Sequence, residues 1–442
     1  MLIILLLFIL CSLLLVCYKY SNGILLTPQF GFVIGFIPQF FLACFYIKEW
    51  KLDISFTTFS VFFVGFMLFI LSSYVFYKIF AYKAFSINVT KKNRSDNFVG
   101  NFHIIAIVFF QIITLVLSIK YLLSLAPGAG FFACVTYYRY TNLFSENYFV
   151  IPPYLRMLRT FCISSEYFFV YLLIRCIVYK DKSNKFLITT NIVLGILNDV
   201  LFGSRSGIAM LLVAFAVQYY FIRSSKYGWK NGFPLPIIFK FFLIFVIFIV
   251  SFQLFAQIMG RASVNNYSFV DYIAGYLSAP IKNLDYFIAQ NFHGYSVETN
   301  QTLNALIPML SLLFDEPSWL HKLDLPFVID NGYNFGNVYT IFYSFYYDMG
   351  IFGLFLYLPV MSFICTKLYI LVLRNLNKSS ISLSLIIYSY VYFTVTFSFF
   401  SNKFYESIIN PKFMWMCLSW FVLKQFFRIK LNKSLKLRLL KI

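Results

Sequence analysis

LNDVLFGSRSGIAMLLVAF, residues 197–215, places an arginine, flanked by two serines and two glycines, between two apolar runs. The runs extend over about 186–202 and 205–223, each close to the length that crosses a ~30 Å bilayer core. The stretch therefore reads as two transmembrane helices joined by almost no loop, with Arg205 at the start of the second.

Working outward, similar runs recur at roughly 2–17, 24–47, 56–79, 103–123, 155–179, 186–202, 205–223, 236–257, 347–374, 381–400 and 411–428. Of the 442 residues, 61% are hydrophobic and 12% charged, whereas a soluble domain carries about 25% charged residues. The expected fold is an all-α polytopic membrane protein: one integral membrane domain over 1–442, about eleven transmembrane helices, and a large extracytoplasmic loop before the last three. The first run, MLIILLLFILCSLLLVC, lacks a basic leader and a small-residue cleavage site, so a retained helix is expected in place of a signal peptide. No internal repeat is visible.

Sorting the connections alternately separates the charge. Most lysines and arginines, including those of the tail 429–442, fall on one side, where the only acids are Asp96 and Asp181. The other acids fall opposite, except Glu166 inside the fifth span. This is the positive-inside pattern, with the N-terminus outside and the tail cytoplasmic. The net charge of +20 then meets anionic membrane lipids and not nucleic acid. The eight cysteines lie mostly in or beside spans without a CxxC pair and read as apolar fillers. The three histidines form no ligand motif, so no metal or cofactor is expected.

Two connections are long, both assigned outside: about 124–154 and 258–346. In the second, FVDYIAGYLSAPIKNLDYFIAQ and TLNALIPMLSLLF are apolar but too short or interrupted to span. They read as helices in the membrane interface or folded back onto the bundle.

Ser204 or Ser206 suits the N-cap of the seventh span, which sets Arg205 at a helix N-terminus. Free N–H groups, the helix dipole and a guanidinium together suit phosphate or pyrophosphate. The alternative is an arginine snorkelling to headgroups, although arginine is disfavoured in a short outer loop. At the same level lie Tyr138 and Arg139 in TYYRY, Arg156 and Arg159 at the start of the fifth span, and Arg261 in MGRAS. Aromatic faces with cations suit a sugar phosphate; the alternative, preferred for Arg159, is an interfacial aromatic belt. Glu166 is expected inside the bundle, paired with one of these arginines or with Arg175. The large loop ends in DNGYNFGNVYTIFYSFYYDMGIFGLFLYLP, residues 330–359, with Asn337, Tyr339, Tyr343, Tyr347 and Asp348 near the outer end of the ninth span. Gly350 and Gly353 there allow close helix packing.

In LFGSRSGIAMLL (201–212), DYIAGYLSAPIKNLDYF (271–287) and GNVYTIFYSFYYDMGIFG (336–353), in their order and in the placement of the large loop, the chain resembles the bacterial oligosaccharide repeat-unit polymerases, the O-antigen and capsular polysaccharide polymerase family. The likeness covers most of the chain. It implies a glycosyltransferase of the bacterial cytoplasmic membrane, joining oligosaccharide units carried on undecaprenyl diphosphate at the outer face into O-antigen, capsule or exopolysaccharide. Partners would be that lipid-linked oligosaccharide, a chain-length regulator and a flippase; no sugar nucleotide is used. Arg205 matches the family's arginine after the sixth span and is expected on the pyrophosphate, with Arg261 second. Asp285 and His293 are candidates for the base, and Asp348 for holding tyrosine hydroxyls. Lys282 joins Tyr138, Arg139, Arg156, Asn337, Tyr339, Tyr343, Tyr347 and Asp348 as candidate substrate contacts. Related ligases use a loop histidine, for which His293 and His321 are the options. Two lipid-held substrates could supply much of the rate by proximity. The competing readings are such a ligase and a flippase or transporter, although transporters commonly show repeated halves and interrupted helices. A structural or sensory protein leaves the arginine junction unexplained.

Overall fold

The computed structural model describes residues 1–81, 100–144, 149–181, 183–202, 206–229, 269–291, 293–294, 296–320, 325–376 and 381–428. The predicted eighth span, the tail 429–442 and the candidate residues Arg205, Arg261 and His321 lie outside them. The described chain is helical apart from one short hairpin. Seven helices are long and apolar enough to cross a membrane: α1 (Leu2–Tyr20), α2 (Pro28–Phe45), α3 (Phe56–Ala81), α4 (Asn101–Leu125), α6 (Pro153–Tyr179), α8 (Ser206–Tyr227) and α12 (Ile351–Asn375). Each coincides with a predicted span. Three other predicted spans form α7 (Lys185–Val200), α13 (Leu383–Thr396) and α15 (Pro411–Phe426), of 16, 14 and 16 residues. At 1.5 Å per residue these are about 21–24 Å long, shorter than a ~30 Å core. α13 stops early because the chain tightens into a 3-10 turn at Phe397–Phe399. The shorter helices are α5 (Phe131–Phe144), α9 (Phe269–Gln290), α10 (Ile307–Phe314), α11 (Ile341–Met349) and α14 (Lys403–Ile408), and the hairpin pairs β1 (Val328–Asp330) antiparallel with β2 (Tyr333–Gly336).

The described residues group into two compact units: Met1–Val89, Asn265–Asn375 and Ile387–Phe413 in the first, and Thr90–Val264, Leu376–Ile386 and Met414–Ile442 in the second.

The first unit is built on aromatic packing. Phe342 of α11 inserts among Phe36, Phe62 and Phe66, with ring centroids 5.4–5.7 Å apart. Gly65 of α3 lies directly under the Phe342 ring, where any Cβ would collide with it. α3 and α12 run against each other, and the Ser73 and Ser362 hydroxyls hydrogen-bond across them at 2.9 Å. Thr27 caps α2, accepting from Phe30 N–H, and Pro28 occupies the first turn, where its missing N–H costs nothing. Along α2 the sequence Gly31-Phe-Val-Ile-Gly35 turns two glycines toward α13. A Cβ at Gly31 would meet the Tyr392 ring, and one at Gly35 would meet the Thr396 carbonyl. This is the small-xxx-small contact by which apolar helices approach closely.

The ninth predicted span is not one continuous helix. α11 ends at Gly350, whose φ of +57° is left-handed, and α12 begins one residue later. Gly353 on the first turn of α12 sits against the Phe345 carbonyl, so the two glycines produce a tight reversal.

The second unit is organised around α6, which is buried along most of its length. Its neighbours are stitched by amides: Gln111 donates to Ser165 (2.8 Å), Asn198 to the Gln111 carbonyl (3.3 Å) and Asn191 to the Ile104 carbonyl (3.4 Å). In a low-dielectric interior such bonds hold helices that have no hydrophobic reason to associate. Glu166 is buried, as expected, against Gly195 of α7. Arg175 pairs instead with Asp181 at 3.6 Å; nine residues of helix place it about 13 Å along the axis from Glu166.

Candidate functional site

α9 lies within the segment predicted as a large loop and folds back onto α2, α3 and the hairpin. Two polar ties seat it: Ser278 donates to the Gln39 carbonyl (2.8 Å) and Tyr46 to Asp271 (2.8 Å). On the same helix, Oδ1 of Asp285 accepts from the Ser55 N–H (2.8 Å) and the Thr58 hydroxyl (2.6 Å). Because α3 starts at Phe56, this carboxylate caps α3 from a neighbouring helix and meets the positive end of its dipole. Lys282 forms an ion pair with Asp330 of β1 at 3.0 Å and donates to the Lys51 carbonyl at 3.3 Å.

Asn283, fully buried between them, donates to the carbonyls of Phe335 (3.2 Å), Gly336 (3.5 Å) and Val338 (2.8 Å). It fastens the hairpin to α9. Asn283→Ala strands those carbonyls at a cost of about 1–3 kcal/mol. Limited proteolysis is expected to cut the 325–340 region of this variant before the helices open; a protease pattern and melting temperature equal to wild type would contradict the assignment.

The tyrosines predicted at the outer end of the ninth span form a ladder. Tyr339, Tyr343 and Tyr347 recur at helical spacing, with centroids 4.4 Å and 5.8 Å apart, and Phe287 of α9 packs 4.5 Å from Tyr343. Tyr339 donates to the Pro326 carbonyl at 2.9 Å. Burial pushes the Tyr339 and Tyr343 phenols well above their usual range, so both remain hydrogen-bond donors at neutral pH. Asn337 follows the second strand and is half-buried.

Asp348 is 3% exposed, and its two oxygens accept from the backbone N–H groups of Gln301 (2.7 Å) and Thr302 (2.8 Å). Burial raises its carboxyl above the usual aspartate range, against the pull of those hydrogen bonds. Asp348 thus holds the backbone of the 296–302 segment, where sequence suggested tyrosine hydroxyls. The same segment is tied by Gly294 N–H to the Tyr347 carbonyl (3.0 Å) and by Asn402 to the Thr302 carbonyl (3.2 Å). His293 stands beside the ladder, its ring 5.4 Å from Tyr346.

In the second unit, the Arg159 guanidinium lies 3.6 Å over the Phe202 ring and donates to the Asn198 carbonyl at 3.3 Å. Tyr138 of α5 meets the same Phe202 edge-on at 5.2 Å. Asp199 is nearby and electrostatically coupled to Arg159. Its carboxylate also rests on Gly207, in the first turn of α8, in space that any Cβ would fill. An acidic side chain of the chain itself thus packs at the first turn of α8. Arg156 is exposed, and Arg139 lies on α5 beside Tyr138.

Sequence reasoning missed Asn283 and undervalued Arg159. Asn283 stands four residues before Phe287, on the apolar face of α9, and a buried amide at that spacing was the available signal. Arg159 carried only a weak one, since a lone arginine near a span end commonly snorkels. Among the described residues no group of three or more His, Cys, Asp or Glu side chains converges to hold a metal. No protein-family model, no curated protein and no solved structure matches the chain.

Proposed function

We propose that this protein polymerises oligosaccharide repeat units carried on undecaprenyl diphosphate, at the outer face of a bacterial cytoplasmic membrane. One observation carries the reading. Two of the stretches that resemble the repeat-unit polymerases, 271–287 and 336–353, pack on each other through Asn283, Phe287 and Tyr343, although the contacting residues lie more than fifty positions apart. Together they build a tyrosine ladder next to His293, buried at Tyr339 and Tyr343 and half-buried at Tyr347, and aromatic faces with phenolic donors suit a sugar.

In the proposed reaction a hydroxyl of the incoming unit attacks the anomeric carbon of the growing chain. A glycosidic C–O bond forms, the bond from that carbon to the lipid diphosphate breaks, and the diphosphate leaves with the electron pair. Arg205, with Arg261 second, is assigned to the charge developing on the leaving group. Asp199 packs its carboxylate against Gly207 in the first turn of α8, so this role is assigned to the guanidinium. The hydroxyl proton passes to His293, the candidate base that stands beside the tyrosine ladder. Asp285 and Asp348 act as anchors of α3 and of the 301–302 backbone.

A deletion strain complemented with wild type, Arg205→Ala or Arg205→Lys tests the reading, with surface polysaccharide resolved on a gel and membrane levels of each variant measured. The expected result is a ladder with wild type and, with the deletion or Arg205→Ala, single repeat units only. Loss of all attachment or export in the deletion would point to a ligase or flippase.

A further inference from the structure

We infer that α10, with Leu320 just beyond it, is a membrane-embedded anchor that inserts among the lipid chains at the bilayer surface and holds the 303–320 segment there. α10 spans eight residues, about 12 Å, far too short to cross a bilayer. Ile307 and Ser311 are buried and Leu310 is half-buried. The opposite face is wholly apolar and open: Leu312 is 86% exposed and Leu313 73%, with Met309, Phe314 and Leu320 alongside. In water this is an apolar patch of the kind soluble surfaces avoid.

What covers it follows from where the helix is tied. Thr302, five residues before α10, is bound to Asp348, and Asp348 lies three residues before α12, one of the helices of membrane-crossing length. Phe352 and Phe355 on the first turns of α12 are themselves exposed, Phe352 by 73%, as lipid-facing side chains are. The open face of α10 thus begins at the level where the apolar surface of α12 begins, and one lipid layer covers both. Beyond the helix, Trp319 packs on Phe314 with centroids 5.8 Å apart, and aromatic side chains of this kind favour the headgroup level. Asp315 and Glu316, both exposed, offer no attraction to anionic headgroups, so the contact is with acyl chains and insensitive to lipid charge. The inference is independent of the reaction proposed above.

The test uses the full chain in phosphatidylcholine nanodiscs, with a photo-crosslinking benzophenone side chain at Leu312 or Leu313, at Phe352 as lipid-facing reference, and at exposed Ser296 as aqueous reference. Lipid adducts at 312 and 313 are expected within about twofold of those at 352, and at least about tenfold above those at 296. Adducts at the level of position 296, or crosslinks to a second copy of the chain, would overturn the proposal. A second readout needs no bulky probe: in nanodiscs of brominated phosphatidylcholine, Trp319→Phe is expected to remove a lipid-quenched component of the tryptophan fluorescence. Removal of an unquenched component would overturn it equally.

Discussion

Gly35→Leu is expected to abolish the folded protein. The Cβ alone falls on the carbonyl oxygen of Thr396, a backbone atom that cannot rotate away. α2 and α13 must then separate, and the packing that Gly31 and Gly35 permit is lost along both helices. Overpacking of a tight contact costs about 1–3 kcal/mol and more where the neighbour is fixed, a large share of a typical stability of about 5–15 kcal/mol. Gly31→Ala meets the Tyr392 ring, a side chain able to shift, and should cost less. The check is the yield of monodisperse protein in detergent and its melting temperature. A Gly35→Leu protein melting with wild type would refute the helix contact.

Asp348→Ala is the second large effect. It leaves the N–H groups of Gln301 and Thr302 without their acceptors; at about 1–3 kcal/mol per stranded group, less the relief of a buried charge, the loss is about 2–4 kcal/mol. The 296–302 segment should loosen with it, lowering any activity that needs His293 in place. Asp348→Asn keeps one acceptor and should fall between. The raised carboxyl also fixes a pH trend. An unfolded aspartate titrates near 3.8 and folded Asp348 above that, so between those values the folded state binds the proton more tightly. Its favourable contribution is complete below about pH 4 and declines as pH rises through the folded value. The stability of wild type relative to Asp348→Asn should therefore decrease from pH 4 to 7. An increase over that range would contradict the burial argument.

The apolar runs placed seven membrane-length helices, because length and composition alone decide that property. They did not foresee the break at Gly350, where a run that reads as one span splits into α11 and α12. Hydropathy is blind to a single left-handed residue inside an apolar stretch. The tyrosines at 339, 343 and 347 were legible as a group near the outer end of the ninth span, and their stacking into one ladder came only with the structure. That Asp285 caps α3 was not, since the acceptor and the helix start lie more than two hundred residues apart. Asp348 was noticed for its charge, yet its partners are backbone N–H groups that no residue pattern announces. The helix start after the GSRSG junction read as an open anion site; Asp199, visible in the same stretch, packs its carboxylate against Gly207 in the first turn of that helix.

Repeat-unit polymerisation is tested most directly with the purified full-length protein in proteoliposomes, supplied with one undecaprenyl-diphosphate-linked repeat unit and followed by mass spectrometry. The account predicts lipid-linked products two, three and more units long, with one undecaprenyl diphosphate released per new linkage and none from the Arg205→Ala protein. Substrate that stays a single unit, with the protein folded and the donor accessible at both membrane faces, would contradict it.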